Sequence, residues 1–75
     1  MLTTQENLED ALAVKQEIDR VYSKLKEIKK EYREVILLYY VEELKISEIA
    51  DILNKKENAV RVLIHRAMQS LRTKL

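Results

Sequence analysis

Four side chains near the carboxyl end of the chain have the types and spacing needed to read DNA base pairs. Asn58 lies three and four residues before Arg61 and Val62, and His65 lies four and three residues after them, which places all four on one face of a helix. Arginine and asparagine can form paired hydrogen bonds with purine edges, and an apolar side chain can contact the thymine methyl group. These four residues are therefore predicted DNA base contacts. For His65 the alternative is an exposed residue without a partner.

Positive charge is concentrated in the same segment. The last 22 residues contain six bases and one acid, Glu57, whereas residues 1–28 and 29–53 each carry a net charge of minus two. Four of the bases are predicted phosphate contacts: Lys55, Lys56, Arg66 and Arg72. A basic element on a mildly acidic domain steers one surface toward nucleic acid. The alternative is a solvated helix whose cations favour its own dipole.

A helix-turn-helix pattern positions both sets of residues. Apolar residues recur at helical spacing on a short helix predicted at residues 46–53 and on a longer one at 57–73. They are Ile49, Ala50, Leu53, Val60, Ile64, Ala67 and Leu71. Ala50 is small where two crossing helices approach closely, and Asn54 suits a left-handed residue that ends the first helix. Ser47 is the predicted N-cap of that helix.

Two further helices are predicted upstream, at residues 4–28 and 31–42. Thr3 and Glu6 have capping-box spacing at the start of the first helix. Its apolar stripe consists of Leu8, Ala11, Val14, Ile18, Val21, Leu25 and Ile28. We expect this stripe to pack on the rest of the domain, the alternative being half of a short coiled-coil dimer. The dense run from Val35 to Leu38 predicts a central second helix that ends near Glu43, and at least one of Tyr39 and Tyr40 is expected in the core.

Composition predicts a single all-α domain of four helices over residues 1–75. The chain has no glycine, proline or cysteine, which excludes glycine-rich phosphate loops, disulfides and thiolate metal sites. One histidine cannot form a histidine metal site, and no cofactor is predicted. The paired acids Glu42 and Glu43 lack an accompanying nucleophile or base, so the protein is not expected to be an enzyme. The longest apolar run is too short for a membrane helix, which predicts a cytoplasmic protein with no membrane partner.

Residues 32–67, YREVILLYYVEELKISEIADILNKKENAVRVLIHRA, resemble the C-terminal promoter-recognition domain, region 4, of bacterial sigma factors of the extracytoplasmic-function type. The most specific pieces are R-E-V-I-L at 33–37, E-I-A-x-x-L at 48–53 and A-V-R-V-L-I-H-R-A at 59–67. The resemblance implies that two helices form a base touching the flap of the RNA polymerase beta subunit. It also implies that the helix-turn-helix reads the upstream promoter element through Arg61, Val62, His65 and Arg66.

The chain differs from many relatives of this family at positions that cap helices or contact phosphates. Relatives often have proline at 29, glycine at 43 and 58, a serine cap at 45, and arginine at 39 and 63, where this chain has Lys29, Glu43, Asn58, Lys45, Tyr39 and Leu63. A lost cap costs about 1 kcal/mol, and the missing arginines remove phosphate contacts. The family's other domain, which binds the core enzyme, is absent, so the chain is expected to be a fragment or a small stand-alone relative.

The sequence leaves three functions open. The first is sequence-specific binding of double-stranded promoter DNA as the C-terminal domain of a sigma factor, with the polymerase flap and an anti-sigma factor as protein partners. The second is a stand-alone helix-turn-helix regulator of the response-regulator output type, which would bind palindromes as a dimer. The third is a sigma-like protein-interaction module that binds RNA polymerase without reading DNA. Agreement across the first two helices favours the first.

Overall fold

The computed structural model describes the backbone of residues 4–75 and the side chains of residues 8–75. Its elements are α1 (Thr4–Leu25), α2 (Lys30–Ile36), which continues as a π-helix (Leu37–Val41), α3 (Ile46–Leu53) and α4 (Glu57–Lys74). The described residues contain no strand. The predicted all-α fold of four helices is confirmed. The capping box predicted at Thr3 and Glu6 lies outside the described side chains.

The core is formed mainly where α2 and α3 pack against α4. Its buried members are Leu25, Ile28, Val35, Ile36, Ile49, Ala50, Val60, Ile64, Ala67 and Leu71. Val35, Ile49 and Val60 are completely buried, one from each of the three packed helices. Each such side chain contributes about 1.5–3 kcal/mol by leaving water. The apolar face predicted for α4 is therefore the face that holds the domain together.

The turn between α3 and α4 has the predicted geometry. Asn54 is left-handed, with φ 54° and ψ 50°, and the backbone N–H of Lys55 donates to the carbonyl of Ala50 at 2.9 Å. The N–H of Asn54 donates to the carbonyls of Ala50 and Asp51, so the carbonyls at the end of α3 have partners within the turn. Asparagine tolerates the left-handed region better than most residues. The turn thus forms without glycine, and it fixes the crossing of the two helices.

Helix α3 begins at the predicted residue 46, but its N-cap differs from the prediction. Its N-cap is Lys45, and Ser47 lies in the first helical turn. Ile46 packs against the core as the first residue of the helix, so the N-cap is the residue before it and not Ser47. Lysine has no side-chain acceptor for an N-cap bond. Instead, Glu48 Oε1 accepts from the backbone N–H of Lys45 at 3.0 Å, so only the acidic half of a capping box is formed.

The second helix ends near Glu43, as predicted, in an unusual way. Its last turn is π-helical, with the N–H of Glu42 donating to the carbonyl of Leu37 at 2.9 Å. Glu43 then adopts a left-handed φ of 56°, and the N–H of Leu44 donates to the carbonyl of Leu38 at 3.0 Å. The closure resembles a Schellman motif widened by one residue. A glutamate takes the position that glycine prefers, at a steric cost.

The packing predicted for α1 is wrong over most of its length. Leu25 is buried, as is Ile28 just beyond the helix, and Val21 is half-buried, but the rest of the stripe is exposed: Leu8, Ala11, Val14 and Ile18. A helix of 22 residues is about 33 Å long, and only its carboxyl end meets α4. The molecule therefore measures 49 Å along its longest axis, with a radius of gyration of 15.6 Å. A compact chain of this length would have a radius of about 11 Å.

The apolar periodicity of α1 correctly predicted an apolar face. It could not show whether another part of this chain reaches that face. Within the described part of the chain, no helix combines the length and hydrophobicity needed to cross a membrane.

Candidate nucleic-acid interface

Helix α4 presents one continuous polar and basic face to solvent. All eight residues predicted to contact DNA are exposed, namely Asn58, Arg61, Val62, His65, Lys55, Lys56, Arg66 and Arg72. The opposite face carries the buried residues of α4, so the helix has one side for the core and one side for a partner. The two lysines lie in the turn before α4, at the end of the helix where base reading is expected.

Two of the predicted base contacts bind each other in this structure. Arg61 Nη1 donates to Asn58 Oδ1 at 3.0 Å, and Arg61 Nη2 lies 3.7 Å from Glu57 Oε1. Both partners are one helical turn away, which is the usual spacing for side-chain pairs on a helix. The contacts hold the guanidinium along the first turn of α4. Because the ion pair is solvent-exposed, it contributes only about 0.2–1 kcal/mol.

The predicted phosphate contacts are less constrained. Among the residues whose side chains are described, Lys55, Lys56, Arg66 and Arg72 form no ion pair within 4 Å. Their charge is therefore not offset by direct contact with a carboxylate. Binding a phosphate would require no protein ion pair to be broken first. This arrangement suits the sequence-independent electrostatic part of DNA binding.

Two shallow clefts lie on opposite sides of α4, and different predicted DNA contacts line each of them. On the side facing α2, Val62 and Arg66 line a cleft together with Tyr32. The cleft on the other side is lined by Arg61, His65 and Arg72, together with Tyr39 and Tyr40 of the π-helix. The structure thus places Arg66 apart from the other two arginines. A ligand that fills a groove along α4 would meet a cation on each flank.

The structure adds aromatic neighbours that sequence reasoning did not place at this surface. Tyr39 packs partly against the core, as predicted for at least one of the pair, while Tyr40 is exposed. Their rings meet edge to face, with centroids 4.9 Å apart. Adjacent residues of a regular α-helix point about 100° apart, but the π-helical turn alters the register. The sequence carries no signal for that turn, so it could not be predicted that Tyr40 would line the same cleft as Arg72.

Comparison with known proteins decides the family. The family described as Sigma-70, region 4 matches residues 18–71, which is most of the chain. The chain belongs to this family. The resemblance found in the sequence motifs is therefore confirmed.

A characterised relative supports the same assignment. The ECF RNA polymerase sigma factor SigW of Bacillus subtilis (strain 168) is 36% identical over 67 residues. That alignment covers 89% of this chain and 36% of the relative, so the chain spans about a third of the relative's length. No solved structure is significantly similar. The match to region 4 begins within α1, at residue 18, and includes α2, α3 and the helix-turn-helix.

Proposed function

We propose that this region 4 domain binds double-stranded promoter DNA at the upstream element, with the first half of α4 in the major groove. Asn58, Arg61, Val62 and His65 contact base edges in this proposal, and the flanking cations bind the phosphates on either side: Lys55, Lys56, Arg66 and Arg72. In helix-turn-helix docking, the first half of the motif's second helix, here α4, contacts the base edges. The domain performs recognition and positioning, with no catalytic step.

The observation that carries the proposal is the outer face of α4. All eight predicted residues are exposed together, and four of the cations have no carboxylate partner among the described side chains. The region from Asn54 to Leu75 carries a net charge of plus five, while the rest of the chain is net negative. The DNA phosphates would therefore be attracted to the basic face and repelled by the rest of the surface.

Arg61 must change partners when it reads a base. Its bonds to Asn58 and Glu57 are exposed, and exposed pairs of this kind are weak. A bidentate bond to guanine is worth about 1–3 kcal/mol in discrimination. The base contact is therefore worth at least as much as the two exposed contacts that it replaces. The contacts to Asn58 and Glu57 hold the Arg61 side chain along the first turn of α4 and do not prevent it from binding a base.

The second part of the proposal concerns RNA polymerase. An apolar cleft of about 310 Å³ lies between the π-helical end of α2 and α3, lined by Leu37, Leu38, Ile52 and Leu53. Glu34 and Glu42 stand at its edge. Such a cleft suits an amphipathic helix with apolar anchors and basic flanks. We assign it to the flap of the beta subunit, since Leu37 and Leu38 belong to the base that the family resemblance implies.

The test of DNA binding is a fluorescence anisotropy titration of the domain with a labelled promoter duplex at several salt concentrations. We expect weak binding that falls steeply with salt, because phosphate contacts release counterions. Arg66→Ala should lower affinity for every duplex and reduce the salt slope by about one unit. Lys26→Ala, which removes an exposed cation from the loop after α1, is the matched control and should change little. Binding that stays constant between low and moderate salt would contradict the proposal.

A further inference from the structure

The cleft that Tyr40 shares with Arg72 has a composition suited to an anion. Its volume is about 270 Å³, and three basic side chains line it: Arg61, His65 and Arg72. Its described lining contains no aspartate or glutamate, whereas Glu31 lines the cleft on the opposite side of α4. Of these two clefts, the one at Tyr40 is therefore the one that presents no carboxylate to an approaching phosphate.

The two tyrosines of this cleft differ in how much of each side chain is available to a ligand. Tyr39 packs partly against the core, while Tyr40 is 52% exposed. The two rings meet edge to face with centroids 4.9 Å apart, so the ring of Tyr40 rests against a side chain that the core anchors. Among the described side chains, the Tyr40 hydroxyl forms no hydrogen bond. Tyr40 therefore offers an O–H donor on a ring that its neighbour supports.

We propose that the Tyr40 hydroxyl donates a hydrogen bond to a DNA phosphate, and that Arg72 binds the same phosphate. This inference rests on the proposed function, because it adds a contact to the DNA interface of α4. Tyrosine hydroxyls are among the groups that bind phosphate oxygens in protein–DNA complexes, where they position the protein without reading the sequence. The π-helical turn from Leu37 to Val41 supplies both tyrosines to the cleft, and short π-helical turns are frequent at functional sites.

The two residues would contribute to DNA binding in different ways. Arg72 carries a charge, so its contact with a phosphate releases a counterion and makes binding depend on salt. The Tyr40 hydroxyl is neutral, so its hydrogen bond adds affinity without releasing a counterion. Loss of the hydroxyl should therefore weaken binding at every salt concentration by the same factor.

The variant Tyr40→Phe tests this contact, because it removes the hydroxyl and keeps the ring and the charge. In anisotropy titrations of the full chain, we expect about threefold to tenfold weaker binding to promoter and scrambled duplexes alike, with an unchanged salt slope. Arg72→Ala should instead reduce the salt slope by about one unit. Tyr22→Phe is the matched control, since Tyr22 is an exposed tyrosine of α1 that does not line the cleft, and it should bind like the parent. Thermal melts check that each variant is folded.

The double variant Tyr40→Phe, Arg72→Ala tests whether the two side chains bind one phosphate. If they do, Tyr40→Phe should cost less than about twofold once Arg72 has been replaced, because residues that share a partner are not additive. An equal loss in both backgrounds would overturn the shared contact, and a loss confined to the promoter duplex would make Tyr40 a base contact. Parent and Tyr40→Phe proteins that bind DNA equally well would overturn this inference alone. A parent protein without salt-dependent DNA binding would overturn the proposed function together with it.

Discussion

Arg61 is the side chain at which the proposed DNA reading can be tested most directly. It is held by Asn58 and Glu57 along the first turn of α4, on the side of the helix that also carries His65. Arg61→Ala should relax the preference for promoter over scrambled DNA by about 1–3 kcal/mol, because a bidentate contact to guanine would be lost. Competition titrations with the two duplexes measure this preference. Equal losses on both duplexes would make Arg61 a phosphate contact.

Glu43 is the residue with the clearest backbone cost. Its φ of 56° places a Cβ where left-handed geometry costs roughly 1–2 kcal/mol. Glu43→Gly should therefore stabilise the domain, by about 1 kcal/mol after the entropy of the unfolded chain is counted, which raises Tm by about 4–8 °C. The neighbouring Glu42 has φ −78°, so Glu42→Gly should lower Tm. A thermal melt that places both variants below the parent would contradict the strain at Glu43.

The backbone conformation of some residues could be predicted from the sequence, and that of others could not. Asn54 was predictable because few residues other than glycine end a helix in the left-handed region, and the apolar pattern fixed where α3 stops. The left-handed conformation of Glu43 was not predictable, because glutamate has no preference for that region. The hydrogen bond from the Leu44 N–H to the Leu38 carbonyl, which closes the helix there, depends on the π-helical turn. Ser47 was a reasonable N-cap by type, but the packing of Ile46 decided where the helix begins.

The crossing of α3 on α4 depends on a small side chain. Ala50 is only 5% exposed at this contact, so the three carbon atoms that Ala50→Leu adds would crowd the two helices. Overpacking of a core typically costs 1–3 kcal/mol, and here it would also displace α4 relative to α3. We expect a lower Tm and weaker DNA binding, measured on the same protein. Ile52→Leu, at an exposed position of α3, is the control and should leave both unchanged.

Among the elements, the packing of the helix-turn-helix could be predicted from the sequence, whereas for α1 the sequence predicted the helix but not its packing. The faces of α3 and α4 are complementary within this chain, so their periodicity also predicted what they pack against. The stripe of α1 has the same periodicity, but α4 reaches only its end. Arg20 of α1 donates to the carbonyl of Leu75 at 3.0 Å, which marks how far α4 extends along it. Periodicity identifies an apolar face, and only the lengths of the neighbouring elements decide whether the face is covered.

In the whole molecule, the proposed DNA face and the proposed polymerase cleft lie on different elements. The DNA face belongs to α4 and the turn before it, whereas the described lining of the cleft comes from α2, its π-helical continuation and α3. The two surfaces also differ in character, since one is basic and the other is apolar with acids at its edge. Under the proposed function, one domain would therefore hold DNA and a protein helix at the same time.

A peptide with the sequence of the beta-subunit flap should bind the domain with or without promoter DNA, and with the same affinity in both cases. Ile52→Glu should abolish peptide binding, because it places a charge at a 59% exposed apolar position of the cleft, while DNA binding should persist. Val41→Glu is the matched control, since Val41 is similarly exposed but does not line the cleft. The measurement is titration of the labelled peptide against each protein. Peptide binding without any DNA binding would favour a sigma-like interaction module, and no peptide binding together with a dimer on palindromic DNA would favour a regulator of the response-regulator output type.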